Sequence, residues 1–554
     1  MIRRARTVAT ATLCAAAATT CVVSEAFVDQ QTRRILENCI ASPLVVDREE
    51  QPVGWLHSER DVCDPTPMVM KEAAWLPAVM AARTTRFAGS TNRTAAHILL
   101  PIAKMPVHSW LAMWMRWFHA PTAWEVVSRG APLFHDHGRA FIGFQAASQK
   151  VFGRPSADVT LAEAALLVAM LERPSSHDPF RHPEAARAAR DRLLMEFRDA
   201  GGAPSAVNLA LASPMPREPA APPEREVTAY LGVLNRELEG RVATERVTAN
   251  IDQRLQAATV ECFEKQSAIL SRLLNPAAFD TLRVAGVVLD IRSGELLAAH
   301  THGAETLTNA NERHPAGSAI KTLLFAWALS EGVGTSDILP NRPRRFYGGG
   351  VWVPRNLHDD APVSLTLQDA FVSSQNVAAV ELLERLGGAE AFREVARQAG
   401  FDASAWPAEL GLALGQGEVT VLEMARLAAT VLGDGRLASG AARAGTTPPR
   451  PQIFAPSAVK ALKALMAEAA ERGTAVAASQ QARRGQYTGS IYAKTGTSDG
   501  GADLWVIGGT DDLATAYWIG TAHRTSTRAT AADVAAPLWG EWIARLERVR
   551  RDGR

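Results

Sequence analysis

The sequence predicts a multidomain chain, with a mostly α-helical front half and an α+β back half. Three observations carry this expectation. At 554 residues the chain exceeds the roughly 250–300 residues at which single hydrophobic cores stop growing. Proline crowds one stretch: Pro204, Pro214, Pro216, Pro219, Pro222 and Pro223 fall between positions 204 and 224, with no sustained periodicity. Beyond that stretch, strand-like runs lie at both ends of a segment whose middle reads as helical, which suggests one sheet built from distant pieces. Hydrophobic residues make up 47% and charged residues 21%, as in ordinary folded protein. A formal net charge of +1 gives no basic surplus, so no nucleic-acid partner is expected.

The chain opens with a targeting layout. Arg3, Arg4 and Arg6 precede an uncharged run from Thr7 to Val23. Residues 1–30 are therefore read as an N-terminal membrane anchor or signal segment. The run is rich in Ala and Thr and is followed by Glu25, so it is weakly apolar against the ~20 apolar residues of a typical span. The basic flank predicts a single crossing with the rest of the chain exported. Cleavage of the segment, or a buried Ala-rich helix, are the alternatives. Among the five cysteines, Cys39 and Cys63 could pair in an oxidising compartment or remain thiols. Cys39, Cys63 and Cys262 show no metal-ligand spacing, and no metal or cofactor is expected.

Residues 31–200 are assigned to a helical front domain, with 30–70 as a juxtamembrane lead. Its clearest helix runs from Thr160 to Leu171, because Thr160 and Glu163 have capping-box spacing and strong helix formers follow, up to Pro174. Residues 201–245 are read as a Pro-rich extended linker. Residues 246–545 form the α+β domain. Arg283–Asp290 reads as a strand, Ser293-Gly294 as a turn and Glu295–Ala299 as the return strand. Ala502–Gly508 and Ala514–Gly520 form a second hairpin-like pair. Residues 546–554 read as a basic C-terminal tail.

Three short motifs in the back half carry chemistry. In Gly317-Ser318-Ala319-Ile320-Lys321, Ser318 and Lys321 fall one helical turn apart on the same face. A serine hydroxyl is a weak nucleophile until a base takes its proton, and a desolvated lysine can be that base. Backbone N–H groups at a helix start favour developing negative charge. In Ser374-Gln375-Asn376, a second hydroxyl can relay a proton to a leaving group. The Asn376 amide can hold a substrate carbonyl and orient the lysine. The third motif, Lys494-Thr495-Gly496-Thr497, ends an alternating run suited to edge addition of an extended peptide. There Lys494 supplies positive charge, Thr495 and Thr497 supply hydroxyls for a carboxylate, and Gly496 permits close approach of substrate. Each motif alone has a bland reading as a solvated lysine, a cap or a turn. Together, in this order, they match a Ser–Lys acyl-transfer signature.

From about residue 245 onward the chain resembles the transpeptidase domain of class A penicillin-binding proteins. Asn250–Gln256, Val287–Gly294, Tyr347–Gly350, Leu412–Val419 and Gly473-Thr474-Ala475 support the resemblance beyond the three motifs. It implies a penicillin-binding, β-lactamase-like fold, an antiparallel sheet flanked by helices with the site in a cleft. It also implies Ser318 as nucleophile, Lys321 as base, Ser374, Asn376 and Lys494 as further catalytic groups, and Thr495, Gly496 and Thr497 as substrate-binding residues. The implied reaction is D,D-transpeptidation of D-Ala-D-Ala peptidoglycan stem peptides through a serine acyl-enzyme, with β-lactam antibiotics as inhibitors. A D,D-carboxypeptidase or β-lactamase-like hydrolase is the enzymatic alternative. A non-catalytic cell-wall scaffold or binding protein is the alternative of another class. The implied setting is the inner membrane, with the catalytic domain periplasmic.

The front half resembles, in part, the glycosyltransferase domain of the same family, a lysozyme-like helical fold. Gly143–Gly153, Glu163–Leu167 and Arg173–Glu184 carry that likeness. The family's general-base motif, Glu-Asp-x-x-Phe-x-x-His, has its best counterpart in Arg83–Ser90, where the Glu, Asp and His are all missing. Glu125 is a loose candidate for the second glutamate. The resemblance therefore implies a degenerate, truncated domain without glycosyltransferase activity. A docking platform for glycan or for an active glycosyltransferase or other cell-wall synthase is one role left to it, and a vestigial lobe kept for folding is the other. His135-Asp136-His137 is read as a polar loop, not a metal site.

Overall fold

The structure is a computed structural model. It describes residues 44–56, 62–63, 132–136, 139–199, 202–220, 224–238, 246–274, 282–303, 312–347, 351–357, 361–446, 448–521 and 524–552. The anchor segment 1–30, Cys39 of the candidate pair, the 83–90 counterpart motif, Glu125 and His137 lie outside these residues. No described helix is long and apolar enough to cross a membrane. No cluster of three or more His, Cys, Asp or Glu among the described residues could hold a metal ion. The chain divides into two compact units, the first containing Gln51–Glu224 and the second Arg225–Val242 with Val247–Arg554.

The first unit is helical. An antiparallel pair, β1 (Pro132–Asp136) and β2 (Arg139–Ile142), leads into α1 (Phe144–Phe152), α2 (Leu161–Glu172), α3 (Pro183–Asp199) and α4 (Pro204–Ala212). The capping box forms as its spacing predicts: Thr160 accepts from the Glu163 N–H, and the Glu163 carboxylate accepts from the Thr160 N–H at 2.8 Å. Helix α2 is apolar on every side and is buried accordingly, with Ala165, Leu167, Ala169 and Met170 fully enclosed. Ala186, Ala189, Leu193 and Leu194 of α3 and Val207 and Ala210 of α4 belong to the same core.

Helix α4 corrects the reading of 201–245 as an extended linker. Proline lacks only an N–H that the first helical turn leaves unpaired, so Pro204 starts a helix instead of breaking one. Arg190 closes the other end, donating to the Leu211 and Ser213 carbonyls. A second helix in that stretch, α5 (Glu224–Glu237), belongs to the other unit, where the buried Tyr230 hydroxyl lies 2.8 Å from the Ala442 carbonyl.

The second unit is built on a five-stranded antiparallel sheet from distant segments, as expected. Its strands are β3 (Leu282–Asp290), β4 (Leu296–His302), β5 (Tyr492–Thr497), β6 (Asp503–Gly509) and β7 (Leu513–Thr521), in the order β5-β6-β7-β3-β4. The β3–β4 turn forms because the Asp290 carboxylate accepts from the Ser293 N–H at 2.7 Å. Strands β6 and β7 are buried along their whole length, which requires cover on both faces. On one face lie α6 (Gln253–Leu273) and the C-terminal helix, where Phe263 meets Trp542 and Tyr517 edge-on.

Between β4 and β5 run the helices that build the site. A 3₁₀ turn (Gly317–Ile320) feeds α7 (Lys321–Ser330). It is followed by α8 (Leu367–Val372), α9 (Asn376–Arg385), α10 (Gly388–Gln398), α11 (Val421–Leu432), α12 (Pro456–Arg472) and α13 (Val476–Arg484). The last helix, α14 (Ala536–Asp552), corrects the expected basic tail at 546–554. Residues 546–552 continue the helix because its apolar stripe persists: Leu546 is fully buried, and Val549 packs on the same core.

Candidate active site

The Ser318 turn is held by backbone contacts from several segments. Just before it, His314–Pro315 pairs with Glu418–Val419, and the Trp505 indole donates to the Pro315 carbonyl at 2.9 Å. Gly317 has φ +51°, in the left-handed region that favours glycine, and a Cβ there would sit 2.6 Å from the Thr497 carbonyl oxygen. A Cβ on Gly496 would lie 2.5 Å from the Ala319 nitrogen. The missing side chain of Gly496 makes room for the protein's own Ser318 turn. The turn is therefore nested against the β5 strand. Ser318 itself remains partly exposed.

Lys321 begins α7 one turn later and is fully buried. Its Nζ donates to the Ser374 carbonyl and to Asn376 Oδ1, both at 2.8 Å. Lys494, equally buried on β5, donates from Nζ to Ser374 Oγ at 2.9 Å and to the Thr495 carbonyl at 2.8 Å. Ser374 serves both amines because its backbone is left-handed, with φ +58°. That conformation is uncommon for serine and is stored here at the junction of α8 and α9.

Both amines meet neutral oxygens, so burial goes uncompensated by charge. Burial holds the Lys321 ammonium well below the ordinary lysine range, and the neighbouring Lys494 adds to the effect. Burial alone pushes Lys494 down to about 7.

The threonines of the third motif are already engaged. Thr495 Oγ1 donates to Thr474 Oγ1 at 2.6 Å, and Thr497 Oγ1 accepts from the Ala531 N–H at 2.9 Å, which leaves the Thr497 O–H as a donor. Strand β5 pairs only with β6, so its other edge has no strand neighbour among the described residues. That is the geometry a peptide needs for edge addition.

The structure thus brings Ser318, Lys321, Ser374, Asn376 and the Lys494–Thr497 strand end together at one place. Sequence reasoning missed the groups that support them. Asn356 accepts from the Asn376 N–H at 2.9 Å, the Arg355 carbonyl accepts from Asn376 Nδ2 at 3.0 Å, and Asn341 accepts from Asn356 Nδ2 at 3.0 Å. No local spacing announces these residues, because each contact spans 15 or more positions of chain.

The family described as "Penicillin binding protein transpeptidase domain" matches residues 284–538, and the "Transglycosylase" family matches residues 135–198. Penicillin-binding protein 1A of Neisseria meningitidis is 28% identical over 289 residues, covering 47% of this chain and 35% of that protein. Penicillin-binding protein 1B of Haemophilus influenzae is 24% identical over 431 residues, covering 73% and 54%. The chain therefore matches about a third to a half of the length of these relatives. The crystal structure of penicillin-binding protein 1A from Haemophilus influenzae superposes with a TM-score of 0.54 at 14% identity, covering 91% of this chain and 92% of that one, a likeness of fold. The chain is a relative of the class A penicillin-binding proteins, carrying their transpeptidase domain over residues 284–538 behind a transglycosylase match confined to residues 135–198.

Proposed function

We propose that the second unit is a serine-type D,D-transpeptidase acting on D-Ala-D-Ala stem peptides of peptidoglycan. The observation that carries this reading is the Lys321 amine, buried one turn from Ser318 and bonded to two neutral oxygens. A neutral amine has two N–H donors and one lone pair. The Ser374 carbonyl and Asn376 Oδ1 take the donors, which leaves the lone pair free to take the Ser318 proton. Ser318 Oγ then attacks the carbonyl carbon of the penultimate D-alanine. The Ser318 N–H and a backbone N–H near Thr497 stabilise the oxyanion. As the C–N bond breaks, the proton that Lys321 took from Ser318 is passed by way of the Ser374 hydroxyl, which Lys494 touches, to the leaving D-alanine nitrogen, and Lys321 is neutral again. An amine from a neighbouring stem peptide resolves the ester and releases Ser318. Thr497 binds the terminal carboxylate with Lys494, joined by Thr495 when its hydroxyl turns from Thr474 Oγ1 to the substrate, and β-lactams acylate the same serine.

The transglycosylase segment is read as inactive, because its match stops short of the region where the family's glutamate motif would fall and residues 83–90 lack that motif. Stem peptides are the substrates. A separate active glycosyltransferase or other cell-wall synthase is the expected partner, and the N-terminal segment tethers the chain to the inner membrane with this unit periplasmic.

A fluorescent penicillin should label the wild type and leave Ser318→Ala unlabelled; equal labelling of the two removes the nucleophile assignment. A pentapeptide assay with and without an acceptor amine reads transfer against hydrolysis, and water-only products would make the protein a carboxypeptidase. Incorporation of labelled lipid II into glycan strands would overturn the loss of polymerising activity.

A further inference from the structure

Helix α9 carries Asn376 at its first position, yet it has no cap of its own, since the preceding Gln375 makes no side-chain capping bond. The orphan N–H groups of a helix start need acceptors. Here two asparagines from outside the helix supply them. Asn356 Oδ1 accepts from the N–H groups of Asn376 at 2.9 Å and Val377 at 3.0 Å, and Asn341 Oδ1 accepts from Ala378 N–H at 3.3 Å. The two are linked, because Asn356 Nδ2 donates to Asn341 Oδ1 at 3.0 Å. Asn341 is buried and is held in turn, donating to the Pro362 carbonyl at 2.9 Å and to Gln375 Oε1 at 3.2 Å.

The residue beside Asn356 acts on the Asn376 side chain. The Arg355 carbonyl accepts from Asn376 Nδ2, which turns Asn376 Oδ1 toward Lys321 Nζ. A flipped amide would set two acceptors against each other at Arg355 and two donors against each other at Lys321. The 351–357 segment therefore decides which end of the amide the lysine meets. Because Asn356 binds that segment to the helix start by two bonds, it controls this orientation without touching Lys321, Ser318 or the reacting atoms.

We propose that Asn356 is a positioning residue for acyl transfer, clamping the 351–357 segment to the start of α9 so that the Asn376 amide oxygen faces Lys321. The inference rests on the reading of Ser318 and Lys321 as the acylating pair. A plain helix cap would contribute stability alone, whereas a positioning residue must also alter the chemistry of the lysine. Releasing the clamp admits water to Lys321. Since burial is the main cause of its lowered basicity, the lysine should move back toward its ordinary range and the acid limb of acylation should move to higher pH.

The test measures second-order acylation by a fluorescent penicillin from pH 6 to 10, together with melting temperature, in the wild type, Asn356→Ala and Asn356→Asp. Asn356→Ala should acylate about 10- to 100-fold more slowly, the scale of loss seen when a reacting group is displaced by an ångström, with its acid limb shifted upward. Asn356→Asp keeps acceptors for both N–H groups at a helix start that favours negative charge but loses the donor to Asn341 Oδ1, so it should acylate faster than Asn356→Ala and slower than the wild type. Wild-type rate and pH midpoint in Asn356→Ala, with only the melting temperature lowered, overturn the proposal. So does an Asn356→Asp variant no faster than Asn356→Ala. If Asn356→Ala does not fold, Asn356→Gln, which moves the same amide by one methylene, replaces it, and wild-type kinetics in that variant overturn the proposal. Failure of the underlying acylation reading is distinguishable, because it shows in the wild type as labelling absent or unchanged in Ser318→Ala.

Discussion

Lys494 Nζ donates to the Ser374 hydroxyl at 2.9 Å across a sequence separation of 120 residues, tying the edge strand of the sheet to the junction of α8 and α9. Lys321 holds the carbonyl of the same serine at 2.8 Å. One left-handed residue is thus the shared acceptor of two fully buried amines, and among the described residues no carboxylate is a hydrogen-bond acceptor of either lysine. Unpaired buried charge is expensive, so the arrangement favours amines that give up their protons.

Replacing Lys321 with methionine separates chemistry from stability. The side chain keeps its length and loses its base. Penicillin acylation should fall by about 10²–10⁴-fold, the usual contribution of a positioned proton acceptor. The melting temperature should fall modestly, since methionine leaves the Ser374 carbonyl and Asn376 Oδ1 without their donor, at about 1–3 kcal/mol. Labelling kinetics beside calorimetry check both halves, and an Lys321→Met variant that acylates normally removes the lysine from the mechanism.

Lys494 makes a prediction about pH. Its folded-state value of about 7 lies below the ordinary 10.5. Between those values the unfolded chain binds a proton that the folded chain has released, so stability rises with pH over that window and the penalty is fully present below 7. Lys494→Met lacks this dependence. The stability of wild type relative to Lys494→Met should climb from pH 7 toward 10, at up to about 1.4 kcal/mol per pH unit. Urea unfolding at pH 6, 7, 8 and 9 reads the difference, and a flat difference above pH 7 contradicts the burial argument.

Gly496→Ala probes the nesting of β5 on the Ser318 turn. The added Cβ would meet the Ala319 nitrogen at 2.5 Å and the Ala316 carbonyl oxygen at 2.8 Å, both backbone atoms. Forced overpacking of this kind costs about 1–3 kcal/mol. A lower melting temperature and slower acylation are expected together, because the clashing atoms belong to the turn that carries Ser318. Loss of neither would show that the turn yields freely.

In the first unit, Thr160→Ala removes the capping hydroxyl of α2 and leaves the Glu163 N–H without its partner. A loss of about 1 kcal/mol is expected. Thermal unfolding of the variant beside the wild type measures it, and an unchanged transition would mean that the core around Leu167 and Met170 holds the helix start without the cap.

Much of this protein was legible in its sequence, for a physical reason: local patterns follow from local rules. Strand-like runs bounded by turns placed β3, β6 and β7, the Thr160–Glu163 spacing placed the start of α2, and serine and lysine three residues apart fell one helical turn apart. The order of three motifs was enough to point to the transpeptidase family, since each motif is contiguous. Where reading failed, it failed on context. Pro204 looked like a breaker until it took the first turn of a helix, and 546–552 looked like a solvated tail until Leu546 met the core. Only the tertiary structure decided that Ser374 would join two lysines, that Gly496 would make room for Ala319, and that Asn356 and Arg355 would orient Asn376. Those contacts depend on burial and on chain segments far apart in sequence, and no periodicity encodes a hydrogen bond whose partner arrives with the folding of another element.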